Sequence, residues 1–404
     1  MTLNSAKPGL FPIRQRTGTA ARHLGKSAVD FSAEDLEKLS PKDAVFFMAN
    51  LIWGSSQEMP CTHCGTIDTH YWYRKELRWK CKCCDSKFSV TSQTVFADHK
   101  LPLNKILKIA FSWSIGASGV PALQLRRQWN VTYKTVYTLL QKLREGLLRG
   151  FNTGVLCGVL EMDGMDVNGR GHKEKRNKPQ GGRSSGKPKI PAYLFKPMNE
   201  AEFQGPMPPP KFGKASKQHP DRRLLLGVSQ RGINHGNGSS ATRIGIAVTE
   251  SRASVTALAG RYASTESTVI SDEDPSYAGF KTRFNAHKTI NHSERFSDGK
   301  GVSNNQAESF NWRVKRALKG IYLSASNKYL KDYSGEQAWR TDVRKLSTGK
   351  KLGNLFCAVM GVGLSQWFRG YGQGKHRDHE MLLDGPRPAK GRGKSKGWKP
   401  RPPR

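Results

Sequence analysis

The chain has 404 residues, with 67 Lys and Arg against 32 Asp and Glu, a formal charge of +35. That length leaves room for two or three domains. So large a basic excess speaks to partners rather than fold: a polyanion, most commonly nucleic acid, although ribosomal or membrane-surface association also fits. No apolar run approaches the roughly 18 residues of a membrane-spanning helix, and the N-terminus lacks the apolar stretch of a secretory signal, so neither a membrane-spanning nor a secreted protein is expected. Seven cysteines, five of them between positions 61 and 84, read as a metal site in a reducing compartment rather than a disulfide framework.

In chain order, residues 1–55 comprise a basic arm, with Lys7, Arg14, Arg16, Arg22 and Lys26 and no acid as far as 27, followed by helical sequence that Ser32 can cap with Asp35 three residues on. Residues 56–100 hold CTHC at 61–64 and CKCC at 81–84. Cys61, Cys64, Cys81 and Cys84 form two C-x2-C knuckles, the spacing with which four thiolates hold one tetrahedral structural zinc. Cys83, His63 and His70 are alternative ligands. The aromatic and basic residues between the knuckles, HYWYRKELRWK, alternate as a ribbon hairpin would.

Residues 101–150 read as helices. A break at Asn130-Val131, followed by a helix opening with Thr132, Tyr133, Lys134, Thr135 and Tyr137, fits a helix-turn-helix whose second helix offers its first turn to base edges. An ordinary helical bundle has the same pattern. Val136, Leu139, Leu140 and Leu143 keep helical spacing and should face a core.

Residues 151–368 begin with VLCGVLEMDG, a short apolar run ending in Glu161, Asp163 and Gly164. A carboxylate at the inner end of a buried strand costs desolvation energy unless a cation or donor meets it, and a metal ion is one candidate. The alternative is an Asp-Gly turn. A basic, proline-rich insertion at 170–221 cannot bury a core and is expected to be flexible. Strands follow at 222–232 and 241–250, a helix at 251–263, and a strand of Thr268, Val269 and Ile270 that runs into Asp272. From about Asn305 the spacing of Phe310, Val314, Leu318 and Ile321 predicts a helix. It has Glu308 in its first turn and carries Arg313, Lys315, Arg316 and Lys319. A first-turn glutamate complements the helix dipole; on a cationic helix it also suits a site where phosphate approaches metal. The tail, 369–404, reads as disordered and basic.

The ordered set of CTHC with CKCC, FSVTSQTVFADHKLPL, LEMDG, STVISD with Tyr277, INHS at 290–293 and NNQAESFNWRVKRALKGIY resembles the zinc-ribbon insertion-sequence transposases, bacterial DDE-type enzymes of the ISXO kind. The resemblance implies an α/β multi-domain protein: a zinc ribbon and helix-turn-helix, then an RNase H-like mixed-sheet catalytic domain. It implies Asp163 as first acid, Asp272 as second and Glu308 or Asn305 as third. Glu308 is preferred because a third carboxylate neutralises more of two divalent charges. The implied cofactors are structural zinc and catalytic magnesium or manganese, with two ions activating the attacking and leaving oxygens. The implied partners are transposon ends and target DNA, with homo-oligomers assembling on DNA in the bacterial cytoplasm at the nucleoid. Asp166, Glu161 and Asp274 are near-neighbours open to misassignment, and His292 is a candidate to orient water or phosphate. A non-catalytic DNA-binding regulator accounts for the charge, ribbon and helices but not for the acids.

Overall fold

The computed structural model describes residues 25–151, 153–167, 221–232, 238–290, 303–323 and 325–388. The insertion expected at 170–221 lies outside the described residues except for its last position, and so does INHS beyond Ile290, with His292.

Two helices, α1 (Ala33–Glu37) and α2 (Pro41–Trp53), open the described chain. Ser32 closes a capping box with Asp35 on α1, and Ser40 caps α2, whose first residue is a proline. The ribbon follows as β1 (Met59–Pro60) paired with β2 (Ile67–Asp68), then β3 (Tyr71–Tyr73), β4 (Arg78–Lys80) and β5 (Lys87–Phe88) in an antiparallel sheet. Next come α3 (Leu103–Ile115), α4 (Ala122–Trp129) and α5 (Tyr133–Gly150). Asn130 turns the chain between the last two in the left-handed region, at φ 47°, and Thr132 caps α5 through the Thr135 amide.

The second half carries a five-stranded mixed sheet. Its members are β6 (Val159–Val167), β7 (Arg223–Arg231), β8 (Ser239–Ala247), then after α6 (Arg252–Tyr262) β9 (Thr268–Ser271), and after α7 (Phe280–Arg283) β10 (Ala286–Thr289). The spatial order is β10-β9-β6-β7-β8. The strands β6, β7 and β8 form an antiparallel meander, while β9 runs parallel to β6 and β10 parallel to β9. Three helices complete the fold, α8 (Asn305–Arg316), α9 (Leu330–Asp342) and α10 (Thr348–Met360), with a hairpin of β11 (His379–Leu382) and β12 (Gly385–Pro388).

Strand alternation sorts the sheet's apolar residues onto two faces. Leu160, Met162, Leu224, Leu226, Val228 and Val269 pack with Val255 and Leu258 of α6. Met165, Val167, Leu225, Ile244 and Ile246 pack instead with Phe310 and Val314 of α8 and Ala338 of α9. A third core joins the ribbon to the helices: Trp79 and Phe88 belong to one buried cluster with Met48 of α2, Phe111 of α3, Leu140 of α5, and Leu355 and Phe356 of α10.

One expectation needs correction. Disorder was expected from 369, yet residues 369–388 fold back onto the sheet region. The reason is charge pairing invisible in a Gly/Arg-rich sequence. Arg377 forms a buried ion pair with Asp332, Glu380 takes two hydrogen bonds from Arg223 at 2.6 and 2.8 Å, and Leu382 joins the apolar core.

Candidate metal centre and active site

The four knuckle cysteines converge, with all their sulfurs within 4.8 Å of one another. Cys61 and Cys84 lie 3.8 Å apart and Cys64 and Cys81 3.6 Å apart. A zinc–sulfur bond of about 2.3 Å sets a tetrahedron edge of about 3.8 Å, so the thiols fit one zinc ion. The knuckle amides of His63 and Cys83 donate to the sulfurs of Cys61 and Cys81. The Thr66 hydroxyl and backbone hold the Cys64 thiol down at about 6, favouring the thiolate that a metal needs. His70 is not in this group: its ring packs on Phe88 and its Nε2 meets the Thr66 carbonyl.

The acids are positioned by register. Val159, Leu160 and Glu161 of β6 pair with Thr268, Val269 and Ile270 of β9, and the same parallel register carried two residues on sets Asp272 beside Asp163. Asp163 faces α8, on the side of Glu161 and Met165. That helix has no cap of its own, because Asn304 makes no side-chain cap bond. Glu161 supplies one from the neighbouring strand: its fully buried carboxylate accepts the amides of Gln306 at 2.6 Å and Ala307 at 3.3 Å. Arg231 pairs with Glu161 at 2.5 Å and donates to Ser303 at 2.7 Å, closing the clamp. Glu161 therefore seats the helix rather than joining the acid cluster.

With α8 so held, Asn304 donates to the Met162 carbonyl at 3.3 Å and Asn311 donates to Asp163 Oδ2 at 2.8 Å, while the Gly164 amide holds Asp163 Oδ1 at 2.9 Å. Burial pushes the Asp163 carboxyl up to about 6, against the Asn311 bond and with added repulsion from Asp272 and Glu308. Asp163 thus feels both of the other acids. Asn305 sits exposed at the start of α8. Asp166 is exposed, and Asp274 caps the turn at Ser276.

The sequence reading missed two neighbours. Asn311 looks like any polar residue on a helix, and only the docking of α8 brings it to Asp163. Glu250 follows β8, a strand away. Tyr277 donates to its carboxylate at 3.1 Å, and a Cβ on Gly164 would lie 2.7 Å from Glu250 Oε1. Glu250 keeps solvent contact, yet the protein packed on its inner side pushes it to about 7, against the Tyr277 bond and with repulsion from Asp272, Asp274 and Asp163. A fourth carboxylate therefore shares this end of the sheet. The signal available in the sequence was the glycine after Asp163, which the close approach of Glu250 accounts for.

The residues assigned to DNA divide into two groups. Arg313, Lys315, Arg316 and Lys319 are exposed along α8 and the turn beyond it. At the start of α5, Thr132, Tyr133, Lys134 and Thr135 are exposed too, but Lys134 donates to the Gly372 carbonyl at 3.0 Å and Tyr137 packs against Tyr371. Among the described residues no helix is long and apolar enough to cross a membrane.

Fold and site together define a class: a four-cysteine module and helices joined to a mixed-sheet α/β domain with carboxylates gathered beside its central strand. Residues 198–342 match the family model described as the ISXO2-like transposase domain, which supports an insertion-sequence transposase of this family. The match contains Asp272 and Glu308 and begins after Asp163. No curated protein and no solved structure matches the chain.

Proposed function

We propose that the protein binds the terminal inverted repeats of a bacterial insertion sequence and catalyses metal-dependent strand cleavage and strand transfer, with Asp163, Asp272 and Glu308 as the acids. The observation that carries this reading is the gathering of acids from distant parts of the chain: the β6–β9 register leads Asp272 toward Asp163, α8 docks on Asp163 through Asn311, and Asp163 feels the charges of both Asp272 and Glu308. The strand order, an antiparallel meander extended by two parallel strands, supports an RNase H-like catalytic domain.

The donor set suits magnesium or manganese, which take oxygen ligands. Among the described residues the acids do not gather into a metal-holding group as tight as that of the thiols. Ions about 3.5–4 Å apart, each about 2.1 Å from its oxygens, allow ligands on opposite ions to lie up to about 8 Å apart. When bound, two such ions would activate the attacking oxygen and stabilise the leaving one. The protein's own contributions are positional. Asn311 and the Gly164 amide fix both oxygens of Asp163. Glu161 and Arg231 seat α8 so that Glu308, at the edge of its sheet-facing side, comes near enough to act on Asp163. Arg313, Lys315, Arg316 and Lys319 draw phosphates toward the acids. Asn305 is the alternative third ligand. Zinc in the ribbon and the helix-turn-helix reading of α4 and α5 complete the DNA-binding half, with oligomers forming on DNA in the bacterial cytoplasm at the nucleoid.

The test is divalent-metal-dependent nicking of a duplex carrying the element's inverted repeats. Wild-type protein should nick it. Asp163→Ala should bind the duplex as tightly and nick at least about a thousandfold more slowly, the scale on which loss of a preorganised charge group acts. A variant that binds and nicks like wild type leaves a DNA-binding regulator as the reading.

Gly164→Ala makes a finer probe. The three atoms nearest the added methyl all belong to the flexible end of Glu250, so stability should change by less than about 1 kcal/mol while Glu250 is displaced from Tyr277. Nicking should fall with the thermal midpoint unmoved; unchanged nicking would show that the place of Glu250 is immaterial.

A further inference from the structure

The helix that carries Glu308 also carries an exposed tryptophan. Trp312 is 62% exposed, whereas Trp79, Trp113 and Trp339 are fully buried and the other described tryptophans are half-buried. The indole is not where the core needs it: Asn311 and Phe310 point to the sheet, and Trp312 points away. It lies four residues after Glu308, on the same face of α8 and about 6 Å further along the axis. The same face continues through Arg316, whose guanidinium lies over the indole at 5.6 Å, to Lys319. Exposed Arg313 and Lys315 flank it. A stacking ring set among cations, within a nucleotide or two of the acid cluster, fits one partner chemistry. Cations along the stripe track phosphates, and an aromatic face takes an unstacked base without regard to its identity.

We propose that Trp312 is the stacking platform for an unpaired base of the DNA strand end held at the acid cluster. The paired duplex engages the cations alone, and a frayed or single-stranded end adds the indole. The inference rests on the cutting role proposed for those acids, and its test is separable from that role.

The full-length protein is titrated, without divalent ions, against two fluorescein-labelled probes: a blunt duplex of arbitrary sequence, and the same duplex with a short unpaired thymidine 3′ overhang. Wild-type protein should prefer the overhang. Trp312→Ala should weaken overhang binding about tenfold, within the range one stacked base contributes, and blunt-duplex binding by less than about twofold. Trp312→Phe, which keeps a ring, should retain most of the preference, and Arg316→Ala should weaken both probes together. Equal losses on both probes in Trp312→Ala, no loss on either, or a Trp312→Phe as defective as alanine would overturn the proposal. Nicking that depends on Asp163, with no Trp312-dependent preference, removes the stacking platform and leaves the cutting centre. Absent nicking with the preference intact does the reverse.

Discussion

Glu336→Ala should lower the stability of the protein by about 3–5 kcal/mol, the usual effect of removing one partner from a buried ion pair. Glu336 is fully buried on α9. It takes Arg144 of α5 at 2.7 Å and Arg340 of its own helix at 2.8 Å, and Tyr322 donates to it at 2.5 Å. Burial alone would raise its carboxyl, but Arg144 and Arg340 hold it below the ordinary range. Without it, two buried guanidiniums face each other with no anion between them. Arg340 keeps its bonds to the Trp113 and Gly116 carbonyls; Arg144 loses the partner that orients it over Tyr333, 4.2 Å away. These contacts join α5 and the loop after α3 to α9, which packs on the sheet. The loss should therefore be cooperative, seen as one shifted transition in urea rather than a new early one. Arg144→Met with Glu336→Ala should recover part of the loss. A single substitution costing under about 1 kcal/mol would mean that the pair does not hold the halves together.

Cys81→Ser, or prolonged chelation, should release the zinc and unfold the ribbon. Its strands are two or three residues long, too short to be stable alone, so a metal held by the four thiols would supply most of their closure, as it does in small zinc modules. The reporter is internal. Trp72 and Trp79 pack at 4.9 Å, and Trp79 stacks with Phe88 at 5.8 Å and meets Phe46 of α2 at 6.1 Å. Loss of zinc should shift tryptophan emission to the red, flatten the near-ultraviolet dichroism and weaken DNA binding. The sheet domain, with cores of its own, should keep its far-ultraviolet signal. Protein purified without zinc, whose near-ultraviolet spectrum ignores chelator, would remove the metal from the ribbon.

Much of this molecule could be read before any coordinate was known, and the reason is local. Two C-x2-C knuckles fix a ligand set because the spacing within each knuckle is a property of one short turn. Helices α3 to α5 declare themselves by apolar spacing, a proline at one start and Thr132 at another. Asp163 and Asp272 stand out because acids seldom follow so closely on buried apolar runs, although Asp163 is not the strand end that its sequence suggests: β6 runs on through it to Val167, paired with β7.

What the chain alone could not settle was which residues meet across the sheet. Glu161 and Asp163 differ by two positions and share a face; only the docking of α8 makes one its cap and leaves the other beside Asp272 and Glu308. Asn311, Glu250 and the return of Arg377 to Asp332 depend on contacts between segments tens to hundreds of residues apart. Such pairings leave no period in the sequence, since their spacing is set by how strands register and helices pack rather than by the geometry of one turn.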